Sequence, residues 1–207
     1  MAESIESFPL FPLGLVLLPD EVVPLHIFEE RYKRMIGECI EEEREFGIVW
    51  LSDDGLKDIG CTAQIAQVLE VMEDGRMNIL VRGARPFRLV RRIEELPYPA
   101  GDIELLDEVE AGDADGGQAD EARERYAQLV ERLTESRPDA GELASLGAYG
   151  MAATIDFALD AKQALLEVRS EEERLRMVGE LFSSTMKRLD YVERTSERAR
   201  TNGKVRY

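Results

Sequence analysis

Apolar positions along this chain change their spacing near residue 119. Before it they fall in short blocks and alternating pairs. After it they recur every three or four residues. The first pattern predicts strands and the second helices, because side chains alternate across a strand and repeat every 3.6 residues around a helix. In FPLFPLGLVLLPDEVVPLHI, residues 8–27, a strand is expected around Leu13 to Leu17. Pro19 and Asp20 then supply turn chemistry, and Pro24 holds Val23 extended, so the segment cannot be one helix. These prolines suit an edge strand or strand ends, where a missing N–H costs no ladder bond.

From Phe28 the spacing becomes helical. Tyr32, Met35, Ile36, Cys39 and Ile40 form a stripe, with Glu29–Lys33 and Glu30–Arg34 pairs on the other side. Burying each large apolar side chain is worth roughly 1.5–3 kcal/mol and an exposed pair about 0.3–0.5, so packing on a sheet sets this helix's orientation. Gly47 is expected to end it, with a strand from Ile48 to Leu51 and a turn at Asp53-Asp54-Gly55. The alternation of Ile65 with Gln67, Val68 with Glu70 and Ile79 with Val81, around an Asp74-Gly75 hairpin signal, predicts an antiparallel meander. YPAGDIELLDEVE adds a last strand. The expected fold class is α+β: an antiparallel sheet closing toward a pseudo-barrel over residues 1–110, with one packed helix.

Residues 111–119, AGDADGGQA, read as a linker, and residues 120–207 as a helical bundle. Helices are expected from Asp120 to Ser136, from Gly141 to about Leu159, after a cap at Asp160, and after the capping box Ser170-x-x-Glu173. In the last, Leu175, Val178, Phe182, Met186 and Leu189 are assigned to core.

Composition narrows the function classes. No apolar run reaches the roughly 18 residues of a membrane span, and Glu3 and Glu6 replace the positive start of a signal peptide, so a cytoplasmic protein is expected. Cys39 and Cys61 fit no metal or redox spacing. A net charge of −17 argues against nucleic acid. One local exception is the arginine run Arg82, Arg85, Arg88, Arg91 and Arg92, which keeps an RNA-binding reading open.

Catalytic chemistry has little to work with. The one histidine, His26, rules out any multi-histidine metal site, and a hydrolase would have to use it as general base without a recognisable nucleophile motif. A packed imidazole bonded to backbone is the simpler expectation. The only Gly-Lys pair, Gly203-Lys204, is followed by Val205, so no P-loop is present. No cofactor, metal or catalytic residue is expected.

The stretch FPLFPLGLVLLPDEVVPLHIFEERYKRMIGECIEEEREFGIV resembles the opening of the Lon N-terminal, or Lon substrate-binding, domain family. The likeness continues through IGCTAQIAQV, DGRMNILVRGARPFRLV, YPAGDIELL and AKQALLEVRSEEERLRMVGELF, over residues 8 to 190. It implies a PUA-like β domain followed by a helical bundle, used in Lon proteases to engage protein substrates. Without an ATPase P-loop or Ser-Lys protease domain, the chain resembles the stand-alone members. Pro86 departs from the commoner Arg-Phe adjacency. The resemblance implies a non-catalytic module that binds other proteins or unfolded peptides, as an adaptor or regulator in protein quality control. Such a role needs exposed apolar surface or a free sheet edge. Phe11, Leu15, Phe87 and Tyr98 are the candidate peptide-binding residues.

Overall fold

The computed structural model describes residues 3–109 and 116–202. Its elements follow the order β1 (Ser4–Leu13), β2 (Val22–Ile27), α1 (Glu30–Glu41), β3 (Phe46–Ser52), β4 (Gly55–Val71), β5 (Met77–Ile93), β6 (Ala100–Leu105), α2 (Gly116–Thr134), α3 (Ala140–Ser145), α4 (Ala148–Ala152), α5 (Leu159–Glu167) and α6 (Glu171–Asn202). The α+β class is as the sequence predicts.

The sheet order is β2-β5-β4-β3-β1-β6, and β5 also pairs with β6. Five strands therefore close a ring, β5-β4-β3-β1-β6, and β2 sits outside it. The expected antiparallel meander is present, since β3–β4, β4–β5 and β5–β6 all pair antiparallel. The sheet as a whole is mixed, which corrects the expected antiparallel sheet: β1 runs parallel to β3, with Leu10 opposite Gly47 and Leu13 opposite Trp50. A parallel neighbour requires a crossover, and here β2 and α1 supply it.

Prolines explain part of the pairing. Pro9 lies at the end of the β1 stretch that pairs with β6, and Pro12 in the stretch that pairs with β3. Each stretch has one strand neighbour, so each ring can face an unpaired side. Pro24 lies in β2, an edge strand bonded, among the described residues, only to β5. The expected strand at Leu13 to Leu17 is displaced: β1 ends at Leu13, and Val16, Leu17 and Leu18 enter the core from irregular backbone.

Backbone polar groups of that loop are satisfied across β5. The Asp20 N–H donates to the Gly83 carbonyl (2.9 Å), and the Gly83 N–H donates to the Glu21 carbonyl (2.9 Å). A Cβ at position 83 would stand 2.1 Å from the Leu18 carbonyl oxygen, so only glycine permits this crossing. On either side of it β5 changes partner: Met77–Arg82 pair with β2, and Phe87–Ile93 with β6.

α1 ends before Gly47, which lies within β3. Its stop is a Schellman arrangement in which the Arg44 N–H bonds the Cys39 carbonyl (3.0 Å) and Glu43 occupies the left-handed region at φ 50°. The Asp74-Gly75 signal does make a hairpin, with a three-residue loop in place of two: Met72 N–H bonds Arg76 O (2.8 Å) and Gly75 takes φ 80°.

Of the expected linker, residues 111–115 lie outside the described residues, and Gly116 already begins α2. The helix expected from Gly141 to Leu159 is two short ones, α3 and α4, broken at Leu146-Gly147. Asp160 falls in the first turn of α5 and leaves the cap position to Ala158. Ser170 Oγ accepts from the Glu173 N–H (3.4 Å) at the start of α6. The core of the helices, including Leu129, Met151, Leu165 and Phe182, is continuous with that of the sheet, including Met35, Phe46, Ile48 and Ile79. A second cluster, around Phe8, Leu10, Phe87 and Ile103, fills the other end of the ring.

Candidate protein-binding surface

β4 and β5 are each seventeen residues long, whereas β3 has seven. β3 covers β4 only from Gly55 to Ala63. The remaining half, Gln64–Val71, pairs with β5 on one side and with no described strand on the other. Together with β2 it forms a three-stranded extension of the barrel, open at both edges among the described residues.

α1 packs on this extension. Its buried side chains Tyr32, Met35, Ile36 and Cys39 share the main core with Leu25, Ile27, Met77, Ile79 and Val81. The Lys33 ammonium donates to the Asp74 carbonyl (2.9 Å), which fixes the helix beside the hairpin. Between the C-terminal end of α1 and the open half of β4 lies a cleft of about 510 Å³. Cys39, Ile40, Ile65 and Val68 give it apolar walls, and Glu43, Arg44 and Glu45 stand along it. Burial pushes the Cys39 thiol up, so it lines the cleft as a neutral, weakly polar group.

Arg44 is held by its neighbours. Tyr98 Oη donates to Glu38 Oε2 (2.5 Å), and Arg44 Nη2 donates to Tyr98 Oη (3.1 Å) and Glu38 Oε2 (3.4 Å). The Tyr98 hydroxyl, then Arg34, hold the Glu38 carboxyl below the ordinary glutamate range. Burial, then the hydrogen bond to Glu38, raises the Tyr98 phenol. A second cleft, of about 380 Å³, lies where the Leu96–Pro99 loop meets Leu10, Pro12 and Leu56, with Arg31 and Arg92 beside it.

The four residues singled out from the sequence are not assembled into one exposed patch. Phe11 is buried, 4.1 Å from the Tyr32 ring between centroids, and Leu15 is partly buried against the same core. Phe87 is fully buried in the second cluster, edge-on to Phe8. Tyr98 is also buried, and it lines the second cleft.

His26 departs from the expected packed imidazole. It is exposed, its Nδ1 lies 2.7 Å from Asn78 Oδ1, and Asn78 in turn donates to Glu70 Oε2 (3.1 Å), a polar row across β2, β5 and β4. Phe28 stacks on its ring. Among the described residues, no group of three or more His, Cys, Asp or Glu side chains could hold a metal ion. The arginine run is divided by its partners: Arg85 pairs with Glu3 (3.1 Å) and Arg91 with Asp102 (2.8 Å).

The open half of β4 was missed, although the sequence carries a sign of it. Ile65, Val68 and Val71 are three apart, a spacing a regular strand cannot place on one face. Register shifts between Ile65 and Gln67 and between Val68 and Glu70 each insert one residue and restore the facing.

Comparison with known proteins agrees with this architecture. The chain is 27% identical to Lon protease 2 of Myxococcus xanthus over 86% of its own length and 24% of that protein's. It is 26% identical to the Lon protease of Paraburkholderia phytofirmans over 94% of its length and 26% of that protein's. The chain thus spans about a quarter of the length of these curated relatives. Among solved structures, the N-terminal domain of the Mycobacterium avium complex Lon protease superposes with a TM-score of 0.66 at 23% identity, covering 87% of this chain and 98% of that one. A Lon N-terminal domain protein from Xanthomonas campestris gives 0.61 at 24% identity, covering 84% and 97%. Among the described residues no helix is long and apolar enough to cross a membrane. Residues 7–184 match the family model described as the ATP-dependent protease La (LON) substrate-binding domain, and the chain belongs to that family.

Proposed function

We propose that this protein is a non-catalytic module that binds segments of other proteins in the cytoplasm and serves protein quality control as an adaptor or regulator. The observation that carries this reading is apolar side chains exposed along a strand half with no second neighbour among the described residues: Val68, Leu69 and Val71, of which Val71 is 63% exposed. A solvated strand of a self-sufficient domain carries polar residues on such a face, and contiguous apolar exposure marks an interaction surface. Family membership supports the same reading, since the domain is named for substrate binding. His26 is held by Asn78, and no Ser, Thr or Cys side chain bonds to it among the described residues, so it does not support a hydrolase. Pairing of Arg85 and Arg91, with the overall acidity, weighs against RNA.

An array of overlapping peptides from an unfolded protein, probed with the full chain, tests the reading. Retention should follow apolar content, and the doubly substituted Leu69→Glu, Val71→Glu chain, folded by circular dichroism, should lose it. Retention indifferent to apolar content, or undiminished in that variant, would contradict it.

A further inference from the structure

We infer that the open edge of β4, Gln64–Val71, takes an extended apolar segment flanked by Lys or Arg as an added strand, with alternate side chains entering the cleft beside α1. This rests on the protein-binding reading and specifies its site and its preferred ligand.

Three observations converge there. First, the backbone of Gln64–Val71 lacks a described partner on the side away from β5, so its outward N–H and C=O groups are available for main-chain pairing. Second, the cleft at that edge is walled by Cys39, Ile40, Ile65 and Val68, which suits apolar side chains spaced two apart on an extended peptide. Third, the wall is acidic. Glu43 and Glu45 line it at the end of the acidic run Glu41–Glu45, and the arginine between them, Arg44, is already shared between Glu38 and Glu42. Glu45 is engaged with Gln64, while Glu41 and Glu43 have no ion pair among the described residues. An acidic rim favours a cationic flank and disfavours an anionic one.

The bulges decide between a flexible and a folded occupant. Register shifts at both ends of Gln67–Val68 add twist to the edge, a device that prevents flat edge-to-edge pairing with another folded sheet. An unfolded segment can follow the twist. The charged protection usual on an exposed edge is limited here to Glu70, which is tied to Asn78.

Fluorescence anisotropy with labelled peptides tests this on the full chain. The probes are an alternating valine–threonine peptide matching Gln64–Val71 in length and flanked by lysines, the same peptide flanked by glutamates, and the lysine version N-methylated at alternate residues. The lysine version should bind about tenfold tighter than the glutamate version at low salt, with the gap closing at high salt. N-methylation on the pairing edge should abolish binding. Glu43→Lys, at an exposed position, should narrow the preference, and Val68→Asp should weaken all binding. If a permanently unfolded protein binds the chain but the peptides do not bind, or bind with no flank preference and no sensitivity to N-methylation or to either variant, the added-strand site is wrong and the protein-binding reading stands. If neither the peptides nor the unfolded protein binds, both fail.

Discussion

Lys162 Nζ on α5 lies 2.6 Å from Glu21 Oε1 in the loop before β2, with both side chains nearly buried. Glu21 Oε2 also accepts from the Leu18 N–H (2.9 Å), so one carboxylate ties the helical half to the loop that crosses Gly83. Removing one partner leaves the other charge buried without compensation. Lys162→Met and Glu21→Gln should each cost about 3 kcal/mol in urea unfolding, and the double variant should cost less than their sum. Additive losses would mean that the pair contributes nothing as a pair.

The left-handed residue that ends α1 offers a stabilising substitution. Glu43 at φ 50° carries a steric cost that glycine avoids. Glu43→Gly should therefore raise the unfolding free energy by about 1 kcal/mol, measured by urea titration. The same change removes a carboxylate from the cleft wall, so stability should rise while affinity for a lysine-flanked peptide falls. Stabilisation without loss of affinity would remove Glu43 from the binding surface.

Gly83→Ala should be among the most damaging single substitutions. The added methyl meets backbone, the Leu18 carbonyl, and cannot be accommodated by a rotamer change. A loss of about 3 kcal/mol or more is expected in thermal or urea unfolding, with the β2 loop displaced. A loss under about 1 kcal/mol would show that the crossing yields easily.

Acid should act partly through Glu38. Its carboxyl is held down chiefly by the Tyr98 hydroxyl, then by Arg34, so its folded value lies below its unfolded one. Such a group contributes stability above the unfolded value, and that contribution is lost as pH falls through the folded one. Tyr98→Phe removes the first cause while leaving the ring in place. The Glu38 carboxyl, followed by NMR titration, should then move up toward the ordinary glutamate range, and the acid limb of the stability profile should flatten. An unmoved titration would assign the depression to the arginines alone.

Much of the fold was legible because its signals are local. The α1 stripe, the Asp74-Gly75 hairpin, the Ser170 cap and the placing of Pro24 on an edge each depend on a few neighbouring residues. The parallel β1–β3 pair was not legible, since it joins Leu10 to Gly47 across a whole crossover. The break at Leu146-Gly147 was hidden by helical spacing that continues through it. The candidate site fared worst for a physical reason. Phe8 to Phe11 are buried on both faces of β1, so alternation there does not distinguish a core aromatic from a surface one. The spacing of Ile65, Val68 and Val71 signals the bulges of β4, but its open half depends on where β3 stops pairing, which no local pattern states.

The most direct test is a fluorescence anisotropy titration of a labelled, reduced and carboxymethylated unfolded protein with the full chain, followed by mass spectrometry of the labelled polypeptide. Saturable binding with Kd of about micromolar, and an unchanged polypeptide mass, is the expected result. Absence of saturation, or the appearance of cleaved polypeptide, would contradict a non-catalytic protein-binding module.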